Sequence, residues 1–131
     1  MTGLTSATFS KKERIVSQKL IEQLFSKGNS HSTSAFPLRI VYMEKEREEG
    51  EEPVLVLASV SKRHFKRAVK RNKVKRQIRE AYRHHKTILT EKVAEGKQLA
   101  VAFIWLADEL YESALVERSL KHLLEKVAER V

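Results

Sequence analysis

The chain has 131 residues, enough for one domain around a single buried core. It has no cysteine, which excludes a disulfide framework and a thiolate metal site. No apolar run approaches the ~18 to 20 residues of a spanning helix, and the N-terminus lacks the apolar core of a signal peptide, so a cytoplasmic protein is expected. The formal charge of +9 is concentrated: twelve of the 25 residues in 62–86 are Lys or Arg and Glu80 is their one acid, a local +11, so the other 106 residues sum to −2. A localised excess of this kind is the electrostatic footprint of a phosphate-backbone binder.

In chain order, residues 1–10 are mostly small and polar with Phe9 as their one aromatic, and residues 1–12 are expected to be flexible unless Phe9 docks. A short first helix is predicted from Ser17 as N-cap, the apolar stripe Leu20, Ile21, Leu24 and Phe25, and Gly28 at the C-terminal left-handed position. Residues 29–35 have the Ser/Thr/Asn content of a loop. Residues 36–43 alternate, with Phe36, Leu38, Ile40 and Tyr42 on one face and Arg39 on the other, which predicts a half-buried strand. Residues 44–52 read as an acidic turn. The β-branched and aliphatic run 54–60 reads as a central strand buried on both faces, forming a hairpin with the strand before it.

The basic stretch follows. At about 100° per residue, Val74, Ile78, Ala81 and Tyr82 share a stripe that faces a core, and Lys75, Arg79, Asn72, Arg83 and Arg76 follow within roughly 100° of arc beside it. Ala68 and Val69 are out of phase with that stripe, which puts the start of regular helix between Val69 and Asn72. A merely solvated face interleaves acids at i,i+4 spacing, and this face has a single Glu. Residues 99–105 form a third buried strand after the break at Gly96, and residues 111–127 carry Leu115, Val116, Leu120, Leu123, Leu124 and Val127 at helical spacing, a packing helix. The order α-β-β-α-β-α makes one α+β domain with a mixed sheet and helices packed on it.

The pairs Arg71-Asn72, Lys75-Arg76 and Arg79-Glu80 in RNKVKRQIRE, preceded by a strand ending Ser59-Val60-Ser61-Lys62, resemble the signature helix, or RNR motif, of the bacterial ribonuclease P protein subunit. The resemblance covers most of the chain and is strongest over residues 54–83. It implies a ribosomal protein S5 domain 2-like fold, whose strand-helix-strand crossover is left-handed where a right-handed one is the rule. It also implies a division of labour. A partner RNA carries the catalytic centre and its magnesium, with none bound tightly by the protein. The protein binds that ribonuclease P RNA and the 5′ leader of precursor tRNA, with no membrane and no DNA involved, and the reaction is endonucleolytic 5′ maturation of tRNA. Position by position, the resemblance matches Arg71, Asn72, Lys75, Arg76 and Arg79 to the signature residues near the RNA and Lys62 and Arg63 to the basic pair that follows the second strand. Arg83 on the same helix, and Lys66, Arg67 and Lys70 in the segment leading into it, join them as RNA-binding candidates. Phe25, Phe36, Arg39 and Tyr42 become candidates for a leader cleft. Two departures stand out: Ile21 replaces a frequent second helix aromatic, and Phe65-Lys66-Arg67 stands where the family has Gly before the signature helix.

Protein-based catalysis has little support. The chain has one Asp, Asp108, and its Glu residues cluster in a loop, whereas a two-metal nuclease needs converging carboxylates on rigid elements. The histidines His31, His64, His84, His85 and His122 show no H-E-x-x-H spacing and no partner in sequence. The competing expectation is a non-catalytic RNA-binding module of a ribosome or assembly factor.

Overall fold

The structure, a computed structural model, describes residues 9–26, 28 and 30–131. After a single 3-10 turn, Lys11–Glu13, the elements are α1 (Gln18–Leu24), β1 (His31–Ala35), β2 (Leu38–Glu46), β3 (Val54–Ser59), α2 (Ala68–His85), α3 (Thr87–Thr90), β4 (Lys97–Trp105) and α4 (Ser113–Ala128). The four strands form one mixed sheet in the order β1-β2-β4-β3, with β3 parallel to β4 and the other pairs antiparallel. The α+β class holds, and the element order gains a strand and a short helix over the six elements expected.

The sheet pleat sorts side chains into two layers. Leu38, Ile40 and Tyr42 of β2 stand opposite Trp105, Phe103 and Val101 of β4 and face inward. There they meet Val74, Ile78, Ala81 and Tyr82 of α2 and the Val116, Leu120, Leu123, Leu124 and Val127 stripe of α4. The predicted apolar phases of both helices are therefore the buried ones. Val41, Met43, Ala100 and Ala102 face outward, where Leu20 and Leu24 of α1 cover them together with Ile15.

Three expectations are corrected. Residues 31–35 form an edge strand rather than loop, paired in register from His31↔Tyr42 to Ala35↔Leu38, and the hairpin is β1–β2, turning at Phe36-Pro37. Strand 54–60 does not pair with its predecessor. It lies at the other edge with alternating burial, and β4 takes the centre. A β-branched run looks continuous whether a strand is central or is an edge whose faces are both partly covered, and here the outer apolar cluster around Ile15, Leu20 and Leu24 partly covers Leu55 and Leu57. β2 is buried on both faces over Ile40–Met43, not on one.

Ser17 caps α1 as predicted, its hydroxyl accepting from the Leu20 N–H at 3.2 Å. The helix ends at Leu24, and Gly28 takes its positive φ of 89° in the loop beyond. The expected flexibility of residues 1–12 lies outside the described residues for 1–8. From Phe9 on the chain is packed: the Phe9 ring meets Tyr82 edge-on at 5.6 Å, and Glu13 is buried, its carboxylate accepting from the Ser10 N–H at 2.9 Å. α2 begins at Ala68, one residue before the predicted range, because its first turn projects past the body of the domain; Ala68 and the 79% exposed Val69 need not be in phase with the core. Among the described residues no helix is long and apolar enough to cross a membrane.

Candidate RNA interface

α2 is held rigidly by its apolar stripe and by a turn before it. Arg71 donates to the carbonyls of Phe65 and Lys66, each at 2.8 Å, and so braces that turn against the helix. Its fork retains donors for a further contact. The N-cap is Arg67, without a capping side-chain bond. Asn72 thus sits in the second turn, exposed, with no side-chain partner among the described residues, and it is not the cap.

The basic side chains divide into two sets. Arg83 donates to Glu80 through Nε at 3.1 Å and through Nη2, and contacts His84. That bond holds the Glu80 carboxyl below the usual range and raises the Arg83 guanidinium. Lys86 pairs with buried Glu13 at 2.9 Å. By contrast Lys62, Arg63, Lys66, Arg67, Lys70, Lys73, Lys75, Arg76 and Arg79 have no carboxylate within ion-pair distance among the described residues. Arg76 lines a shallow groove with Lys73, Gln77, Glu80 and Ser113 on the side towards α4. Arg79 is half-buried and is held below its ordinary range by that burial first and by the charge of Arg14 second. Arg14 carried no signal of its own, lying between the residues expected to be flexible and the first predicted helix.

The four leader-cleft candidates do not converge. Phe25, 47% exposed, closes the C-terminal end of α1, and Arg39 projects from the outer face, donating to Ser32 Oγ at 3.1 Å. Tyr42 points the other way and is 3% exposed, so it has no ring face to offer a base and leaves the cleft. Phe36 lies in the β1–β2 turn, its ring edge-on to Tyr111 at 6.0 Å and away from α1. What the outer face does present beyond α1 is the cross-strand row Arg39, Ile104 and Ser59, with Ile21 and Leu57 partly buried nearby. Periodicity did not single out this row because Ile104 and Ser59 read as strand interior.

Three of the five histidines have carboxylate partners among the described residues. His64 Nδ1 lies 2.6 Å from Asp108, and His84 Nδ1 and His85 Nε2 share Glu117 Oε1 at 3.0 Å each. These pairs tie the approach to α2 and its C-terminal end to the β4–α4 loop and to α4. Among the described residues no group of three or more His, Asp or Glu side chains has the arrangement to hold a metal ion.

Residues 9–128 match the family model Ribonuclease P. The chain belongs to the ribonuclease P protein family. It is 38% identical over 133 residues to the ribonuclease P protein component of Porphyromonas gingivalis, covering 100% of this chain and 94% of that one. It is 35% identical over 115 residues to the component of Chlorobaculum tepidum, covering 82% and 74%. The solved ribonuclease P protein of Staphylococcus aureus superposes with a TM-score of 0.63 at 25% identity, over 88% of this chain and 94% of that one. The Thermotoga maritima protein shares the fold at a TM-score of 0.65 and 20% identity, over 87% and 96%. Membership of the ribonuclease P family implies partnership with an RNA.

Proposed function

We infer that this chain is the protein component of a cytoplasmic ribonuclease P ribonucleoprotein, in which it binds the RNA subunit and the 5′ leader of precursor tRNA and so promotes endonucleolytic 5′ maturation. The observation that carries the reading is the set of cations along α2 and its approach that have no carboxylate within ion-pair distance among the described residues. Repulsion within that set is relieved when phosphates occupy it. The catalytic centre belongs to the RNA, whose magnesium supplies activation of water and stabilisation of the leaving oxygen when bound. The protein's own part is electrostatic and positional. Lys75 and Arg79 with Asn72 face RNA phosphates, while Arg39 and Phe25 flank the outer sheet surface on which a single-stranded leader would lie. Reconstitution tests this: mixed with a bacterial ribonuclease P RNA and precursor tRNA at low magnesium, the protein should restore 5′ processing. Binding without restored processing would leave only a non-catalytic RNA-binding module, and cleavage without added RNA would place the chemistry in the protein.

A further inference from the structure

The segment from Phe9 to Val16 is built into the domain beside α2. Glu13 pairs with Lys86 just past the end of that helix, Phe9 rests on Tyr82, and the Ile15 N–H donates to the Val56 carbonyl at 3.0 Å. Arg14 itself forms an isolated parallel bridge with Val56 and lays its guanidinium over the Phe9 ring, 5.3 Å from the centroid. Its position is therefore fixed by backbone and side chain alike, yet the residue stays exposed. Tyr82 lies three residues beyond Arg79, so the Phe9 ring that carries Arg14 sits about one turn along α2 from Arg79. The two charges act on each other, and neither guanidinium has a carboxylate within ion-pair distance among the described residues. Two like charges held together by a folded scaffold cost stability until an anion enters between them. Paired guanidinium forks suit the several oxygens of a phosphate.

We propose that Arg14 and Arg79 together hold one RNA phosphate, which makes the N-terminal segment part of the RNA interface. This rests on the reading of α2 as an RNA-binding face. The phosphodiester can come from the RNA subunit or from the tRNA leader, and the test has an arm for each. Affinity for a bacterial ribonuclease P RNA is measured for the wild type, Arg14→Gln, Arg79→Gln and the double variant over a range of salt. The same proteins, reconstituted with that RNA, are titrated with precursor tRNA bearing or lacking its leader.

Each single change should weaken binding about tenfold, as for a lost charged hydrogen bond, and the double variant should be little worse than either. The log-log salt slope should fall once by about 0.7 to 0.9, not twice. Loss in the first arm assigns the phosphate to the RNA subunit, and loss confined to leader-bearing tRNA assigns it to the leader. Arg14→Lys, which keeps the charge without the fork, should fall between wild type and Arg14→Gln. Wild-type protein that binds neither RNA overturns the RNA-binding reading itself. If the wild type binds and Arg14→Gln is indistinguishable from it in both arms, the shared phosphate alone is overturned. Losses that multiply in the double variant overturn it too, since they mean two separate sites. So does an affinity loss accompanied by lost exchange protection at the Ile15 amide, which would show undocking of the segment.

Discussion

α2 and α4 lie on the same face of the sheet and bury stripes of the same kind, yet their outer faces differ. α4 carries Glu117, Arg118, Lys121, Glu125 and Lys126, a mixture suited to water, whereas α2 carries seven Lys or Arg and one Glu. Packing explains neither difference, because both helices meet the core through apolar residues of adjacent turns and are tied to each other. Gln77 donates to the Tyr111 carbonyl at 2.9 Å and to Ser113 Oγ at 3.1 Å, and Glu117 takes His84 and His85. The contrast shows that an amphipathic helix reports fold through its buried stripe and function through how its charges are neutralised. Within α2 and its ends the same distinction recurs. Arg71, Arg83 and Lys86 work inside the protein, and Lys70, Lys73, Lys75, Arg76 and Arg79 have no carboxylate within ion-pair distance among the described residues.

The largest expected effect is that of salt. If five or six of the unneutralised cations touch phosphates, log K for the RNA should fall with log salt at a slope of roughly −4 to −5, an affinity loss on the order of 10² to 10³ between 50 and 200 mM. Replacing Lys121 on α4 by Ala should leave that slope as it is. A slope near −1 would erase the distinction between the two helices.

Next comes the charge that belongs to the fold. Glu13→Gln leaves the Lys86 ammonium without its carboxylate in a largely buried site, and should cost about 3 kcal/mol, a fall of about 10 °C in Tm. Arg76→Ala should change stability by less than about 0.5 kcal/mol while weakening RNA binding. Thermal melts of both variants beside RNA titrations would reveal the split, and equal melting temperatures would show that the buried pair is not structural.

Charge reversal gives a smaller, graded series. Arg79→Glu should weaken RNA binding by more than about tenfold, Lys73→Glu by less, and Lys121→Glu on α4 hardly at all, although each alters net charge identically. Equal losses in all three, measured by the same titration, would mean that bulk charge alone attracts the RNA.

Both helical phases and the buried strand 99–105 were legible because side-chain periodicity and apolar runs encode burial directly, as Val74, Ile78, Ala81 and Tyr82 show. Strand order was not legible. The run 54–60 is equally apolar at the edge of the sheet or at its centre, and β1 is held by backbone pairing that its sequence His-Ser-Thr-Ser-Ala hardly advertises. The basic face was readable as composition, but its partition was not. Whether Arg83 meets Glu80 follows from i,i+3 spacing, while Lys86 meeting Glu13 and Arg14 approaching Arg79 depend on contacts across more than 60 residues. That the four cleft candidates do not converge has a related reason: strict alternation puts Phe36 and Tyr42 on the face opposite Arg39, and only the position of α1 tells which of those faces stays open.

The smallest effect sought concerns Asn72, the one uncharged residue on the cationic stripe. Asn is a poor helix former, disfavoured against Ala by roughly half a kcal/mol in a helix interior, so its place there needs a reason. Capping would be one, but the cap of α2 is Arg67, and Asn72 lies five residues further on with its amide in solvent. The remaining reason is recognition: the amide both donates and accepts, so it can bond a ribose hydroxyl or base edge where the neighbouring cations offer donors alone. Asn72→Ala should therefore leave Tm unchanged or slightly raised, since nothing in the fold is lost and helix propensity improves. RNA affinity should fall about fivefold, the loss of one neutral hydrogen bond of about 1 kcal/mol. Differential scanning calorimetry and an RNA titration on the same preparation decide it. A variant that melts lower and binds as tightly as the wild type would return Asn72 to a structural role and leave the stripe purely cationic in its chemistry.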